Sequence, residues 1–198
     1  MNRKGKNINM SKIKNTTKVI LGPHTTMSYV NLWAAKAATE GATPKYSVSC
    51  IIEKNSPDVE KAKAAIAAAY EAGQSKLKGN SKTCPKLEAI KTPLRDGDLE
   101  RPDDEAYAGC YFINANSIQQ PGIVDVDCNP ILDHSEIYSG IRGRVSISFY
   151  AYNNAGNRGI AASLNNVQKC SDGKPLGGRA TAKADFEDED DDDSDFLD

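Results

Sequence analysis

Ile141-Arg-Gly-Arg-Val-Ser-Ile-Ser-Phe-Tyr-Ala-Tyr152 alternates two kinds of side chain without a break. Successive side chains of a β-strand point to opposite faces, so one face carries Ile141, Gly143, Val145, Ile147, Phe149 and Ala151. That face belongs to a core. The other carries Arg142, Arg144, Ser146, Ser148, Tyr150 and Tyr152. Two guanidinium groups, two small hydroxyls and two phenols on one solvent face suit a single strand of nucleic acid, which needs cations for its phosphates and flat π surfaces for its unstacked bases.

Working outward, the Gly/Asn-rich turn Asn153 to Asn157 leads into Gly159 to Val167, a hairpin partner. Upstream, Thr17 to Gly22, Met27 to Ala34 and Lys45 to Glu53 are short runs rich in Val, Ile, Tyr and Ser, separated by Gly-Pro and Gly-Ala-Thr-Pro, and read as three strands. In the second, Tyr29, Asn31 and Trp33 fall on one face. In the third, Lys45, Ser47 and Ser49 lie opposite Tyr46, Val48 and Cys50. The period then changes: Ser56 is an N-cap, Pro57 fits the first helical position, and Val59, Ala62, Ile66, Ala69 and Tyr70 form an apolar stripe on a helix running to Gly79. Asn80 to Ala108 reads as a long loop, of the kind that is usually functional or mobile, before a strand at Gly109 to Ile118. The pattern is mainly β, with one helix after the third strand.

The charge is unevenly placed. Of 27 acids, ten lie in residues 185–198, where there is no base. Residues 1–184 hold the 25 bases against the remaining 17 acids and so carry +8, although the whole chain is −2. A basic body with an acidic tail points to a polyanion partner. From Ser139 to Ala184 there are seven bases against the single acid Asp172, so positive charge gathers beside the aromatic strand. Three parts are expected: a flexible basic arm (1–15), one folded domain (16–184) and an acidic tail (185–198) too self-repelling to fold alone. Phe186, Phe196 and Leu197 are apolar anchors in that tail which a partner's pocket could accept.

Other functions find less support. The N-terminus is charged without an apolar run, so no secretory signal, membrane span or membrane partner is expected. The five cysteines (Cys50, Cys84, Cys110, Cys128, Cys170) form no C-x-x-C pair and read as free thiols, several of them in the core. No metal or cofactor is expected. Asp125, Asp127, Asp133 and Glu136 form an acidic cluster, and Asp125 with Asp127 could hold Mg²⁺ for a nuclease, but no catalytic signature accompanies them. A third reading is a tail-mediated interaction protein that does not bind DNA.

Gly159-Ile-Ala-Ala-Ser-Leu-Asn-Asn-Val-Gln-Lys-Cys-Ser-Asp-Gly-Lys-Pro-Leu-Gly-Gly-Arg179, Gly109-Cys-Tyr-Phe-Ile-Asn-Ala-Asn-Ser117 and the acidic end together resemble a phage single-stranded DNA-binding protein family of siphophages and prophages. The resemblance implies an OB-fold, here a five- to six-stranded Greek-key barrel with a helix after the third strand. It implies a protein that coats strands exposed during phage DNA replication or recombination in the cytoplasm of an infected or lysogenic host. The tail is similar in type to that of bacterial single-stranded DNA-binding proteins, but those end in Pro-Phe whereas Phe196 is followed by Leu197 and Asp198. On this reading Arg142, Arg144, Lys45 and Arg158 meet phosphates, and Tyr150, Tyr152, Trp33 and Tyr29 stack bases. Asp190, Asp191, Asp192, Asp193, Asp195 and Phe196 compete for the DNA site and recruit phage or host replication and recombination proteins. The sequence leaves open RNA against DNA and monomer against homodimer.

Overall fold

The computed structural model describes residues 16–177. The basic arm and acidic tail lie outside them. In chain order the elements are β1 (Lys18–Lys36), β2 (Lys45–Glu53), α1 (Pro57–Ala72), α2 (Gln74–Lys78), β3 (Leu94–Asp96), α3 (Gly97–Glu100), β4 (Cys110–Ser117), β5 (Gly122–Val124), β6 (Arg142–Asn154) and β7 (Asn157–Ser171).

The two runs expected as separate first and second strands are one bent strand, β1. Gly22-Pro23 is not a turn but a bulge, across which the register with β6 shifts between Leu21 and Thr25. Proline has no N–H for a ladder and is tolerated in a strand at such a point. The Gly22 N–H donates instead to Asp58 Oδ2 at 2.6 Å. Bent there, β1 pairs through its first half with β6 and through its second half with β2.

That bend closes a barrel. β2 pairs antiparallel with β4, β4 runs parallel to β7 at Ala115 and Asn116, and β7 returns to β6 and so to β1. Five strands in this Greek-key order, with one parallel seam, make the OB-fold. β3 and β5, which the sequence did not reveal, add to its edges beside β4 and β7. The β6–β7 hairpin is longer than expected and turns at Ala155 and Gly156, whose φ values of 48° and 87° fit a two-residue loop with both positions left-handed.

Inside the barrel, Val145, Ile147 and Phe149 of β6 meet Leu21, Met27 and Leu32 of β1 and Val48 and Cys50 of β2, all buried. The α1 helix begins where expected, Ser56 Oγ accepting the Asp58 N–H, and its stripe of Val59, Ala62, Ile66 and Ala69 is buried. It follows Lys45–Glu53 as anticipated; because the first two runs are one, that is the second barrel strand. The helix does not continue to Gly79 but breaks at Gly73, where a Cβ would collide with the side chain of Ala151 on β6. A second, smaller cluster of Ile51, Tyr107 and Phe112 lies apart from the main core. The five cysteines are all unpaired, but Cys50 alone is buried; desolvation pushes its thiol up to about 12.

Candidate nucleic-acid interface

Burial along β6 follows the alternation read from the sequence. Arg142, Arg144 and Tyr150 are exposed, and Ser146, Ser148 and Tyr152 are half-buried. Lys18 faces Ser148 and Ile20 faces Ser146 across the β1 seam. On the β7 side, the register shift between Ser146 and Ile147 leaves Asn165 as an extra residue, and its Nδ2 donates to Ser146 Oγ (3.3 Å) and Ser148 Oγ (2.9 Å). Among the described residues, Arg142, Arg144 and Lys18 have no acidic partner within ion-pair distance. Unneutralised cations beside an exposed phenol form a surface that can meet phosphates and one or more bases.

The other expected contacts are dispersed. Tyr152 lies opposite Gly159, which leaves room for its ring. Arg158 Nη1 donates to Leu77 O (3.0 Å) and Ser81 Oγ (3.3 Å), so this guanidinium ties the end of α2 to the hairpin. Lys45 is exposed at the start of β2, directly across from Lys36. Trp33 is half-buried and stacked on His134, with ring centroids 4.1 Å apart and planes 12° from parallel. A base could reach that face of the indole only by displacing His134.

Tyr29 does not simply share a face with Asn31 and Trp33. A second bulge lies between Ser28 and Asn31, and Tyr29 sits in it at φ 48°. Tyr29 is 55% exposed as a residue, and its ring meets Arg101, whose guanidinium carbon is 4.9 Å from the ring centroid and whose Nη1 donates to the phenol oxygen at 3.0 Å. Arg101 also packs over Tyr107 (4.8 Å) and Phe112 (5.5 Å). Beneath it, the phenol of Tyr107 donates to Ser49 Oγ of β2 at 3.1 Å. Arg101 is not legible from local pattern, because its loop has no period; the one hint is that a loop so long tends to be functional.

The acidic cluster has other work. Asp125 Oδ1 accepts from the Asp127 and Asn129 N–H groups (2.9 and 2.8 Å), and Oδ2 from Asn129 Nδ2 (3.2 Å), bonds from Asn129 above all that hold this carboxyl below the usual carboxylate range. Asp133 accepts from the hydroxyl and N–H of Ser135, and Glu136 pairs with Lys169. Asp125, Asp133 and Glu136 thus act as turn and strap residues, and Asp127 contributes its backbone N–H to the Asp125 turn. Among the described residues no three His, Cys, Asp or Glu side chains gather as a metal site, and no helix is long and apolar enough to cross a membrane.

A family model described as the ssDNA-binding protein of Enterobacter phage Enc34 matches residues 17–197. The chain belongs to that family. No curated protein matches it in sequence. Among solved structures it is similar to the C-terminally truncated single-stranded DNA-binding protein of bacteriophage Enc34, with 21% identity, 84% of this chain and 95% of that one covered, and a TM-score of 0.67. The same phage protein in complex with ssDNA gives 22% identity, 84% and 96% coverage and a TM-score of 0.65. The single-stranded DNA-binding protein gp2.5 of bacteriophage T7 gives 16% identity, 91% and 100% coverage and a TM-score of 0.56. At these identities the structures establish a common fold. The Enc34 family match, which spans almost the whole domain and reaches into the tail, establishes descent.

Proposed function

We propose that this member of the Enc34 family binds single-stranded DNA without regard to sequence, and coats strands exposed during phage DNA replication and recombination in the host cytoplasm. The observation that carries the reading is the family match over residues 17–197. The outer surface supports it: Arg142, Arg144 and Lys18 are cations without acidic partners among the described residues, beside the exposed ring of Tyr150. Binding alone is the task, and no bond is made or broken. Arg158, engaged with α2, acts as a structural clamp rather than a phosphate contact, and Lys45 meets the strand only if it extends past the end of β2.

The tail completes the reading. Gly177, the last described residue, lines a cleft with Tyr29, and the acidic run begins eight residues later at Asp185. Asp190 lies thirteen residues past Gly177, a linker that extends to at most about 45 Å, so Asp190 to Asp193, Asp195 and Phe196 are tethered within reach of the barrel's cationic face. They compete with DNA when no strand is bound, and a bound strand frees Phe196 for a replication or recombination protein.

Titration of labelled oligo-dT and of a duplex of equal length against the full chain tests the reading. Preference for the single strand by at least about tenfold is expected, because stacking requires unpaired bases. Deleting residues 185–198 is expected to tighten binding, most at low salt. Weaker binding after deletion would contradict the competition, and no binding by the deleted chain at low salt would favour an interaction protein instead.

A further inference from the structure

A shallow groove of about 220 Å³ crosses the outer faces of β1, β6, β7 and β5. The strand register explains it. Ile20 of β1 faces Ser146 of β6, Ser146 faces Asn166 of β7, and Asn166 faces Gly122 of β5. A serine within that row and a glycine at its end are shorter than their neighbours and leave a trough. Ile20 forms one side, Val124 and Cys128 the other, and Arg144 lines it two residues before Ser146. A single exposed apolar residue needs no explanation. Here Ile20 is 55% exposed, and Val124 and the exposed Cys128 border the same depression.

Among the described residues no acidic side chain lines the groove, and Arg144 has no acidic partner. The polar groups of its floor are partly engaged already. Asn166 Oδ1 accepts the Gly122 N–H (3.1 Å), Gln168 Nε2 donates to the carbonyls of Asp125 (3.0 Å) and Val126 (3.3 Å), and Ser146 Oγ accepts from Asn165. What is left over, the Ser146 hydroxyl proton, the Asn166 amide N–H groups and the Gln168 amide oxygen, includes donors and an acceptor. Such a floor favours no one base. Along the outer face the order is ring, cation, apolar trough, cation: Tyr150, then Lys18 beside Ser148, then Ile20 beside Ser146, then Arg144. A ligand that fits this order carries a flat apolar group with an anion on either side, as each nucleotide of a strand does. Tyr150 and Ser146 are four residues apart, about 13 Å, several times the rise of about 3.4 Å between stacked bases, so they meet different nucleotides.

We propose that this groove seats one nucleobase of any kind against Ile20, Val124 and Cys128, with its flanking phosphates on Arg144 and Lys18. The inference rests on the single-stranded DNA reading and extends the strand's track from Tyr150 toward β5.

The test alkylates the full chain with iodoacetamide at physiological ionic strength, where the pull of the acidic tail is screened, and follows each cysteine by peptide mass spectrometry. With oligo-dT at about ten times its measured Kd, roughly one site in eleven is free, so Cys128 is expected to react about tenfold more slowly than without it. Cys84, whose thiol shares the Pro85 carbonyl with Tyr70 of α1, is expected to react at an unchanged rate. Ile20→Ala, at an exposed position, is expected to weaken oligo-dT and oligo-dC alike by about fivefold, the low end for a base that loses its stacking surface, and Ile20→Tyr to restore the affinity. Unchanged alkylation of Cys128 in the DNA-bound chain, or unchanged affinity in Ile20→Ala, would overturn the proposal and leave DNA binding intact. Protection of Cys128 by a peptide of residues 185–198 but not by oligo-dT would also overturn it, assigning the groove to a protein segment. Failure of oligo-dT to bind at all would overturn the function itself.

Discussion

Phe149→Ala is expected to lower folding stability by about 3–5 kcal/mol, while Tyr150→Ala, one residue along the same strand, is expected to leave stability within about 0.5 kcal/mol and to weaken single-stranded DNA binding by about 1–3 kcal/mol. Phe149 is 2% exposed and sits in the barrel core, so its removal leaves a cavity that surrounding β-strands cannot collapse to fill. Tyr150 is 45% exposed on the opposite face and lies across from Ala161, so truncation removes little packing. Urea unfolding midpoints and oligonucleotide titrations separate the two effects. Binding by Tyr150→Ala indistinguishable from the unaltered protein would remove this ring from the interface, and a small stability loss in Phe149→Ala would mean that the strand faces are wrongly assigned.

Tyr107→Ala is expected to be comparably damaging, at about 3–5 kcal/mol. Tyr107 is fully buried although it belongs to the Asn80–Ala108 segment, and it meets Phe112 edge-on with centroids 5.1 Å apart and an interplanar angle of 87°. It pins the segment to β2 and β4 and supports Arg101 from below. Tyr107→Phe retains the ring and loses the bond to Ser49, for an expected cost of about 1 kcal/mol. Because Arg101 holds Tyr29, Tyr107→Ala is also expected to weaken DNA binding when measured under conditions where the variant remains folded. Stability loss without any change in affinity would separate the loop from the binding surface.

Tyr107 also marks where the sequence stopped being informative. The alternation of Ile141 to Tyr152 is dictated by a local rule, the two-residue period of a strand, and both faces came out as read. The Ser56 cap and the stripe of α1 are equally local. What escaped detection depends on distant partners. Gly22-Pro23 looks like a turn unless one knows that Asp58, 36 residues away, receives the Gly22 N–H. The Ser28–Asn31 bulge re-aims Tyr29 for the sake of register with β2, and no composition signal announces it. Arg101 acquires meaning only when Tyr29, Tyr107 and Phe112 converge on it from three parts of the chain. Arg158 illustrates the reverse: a base beside aromatic residues in sequence is directed by the hairpin to the carbonyl of Leu77.

Those placements alter the expected electrostatics. Counting Arg142, Arg144, Lys45 and Arg158 as phosphate contacts gives a slope of log affinity against log salt near −3, at about 0.7 per contact on a single strand. With Arg158 engaged elsewhere, Lys45 at the far end of β2, and Lys18 brought beside Ser148, three contacts remain and the slope is expected near −2.

The most direct test of the central claim is therefore the affinity of the full chain for a labelled single-stranded oligonucleotide measured over a series of salt concentrations. Measurable binding at low salt that weakens with a slope near −2 is the predicted result. A slope indistinguishable from zero, or no binding even at the lowest salt, would contradict it.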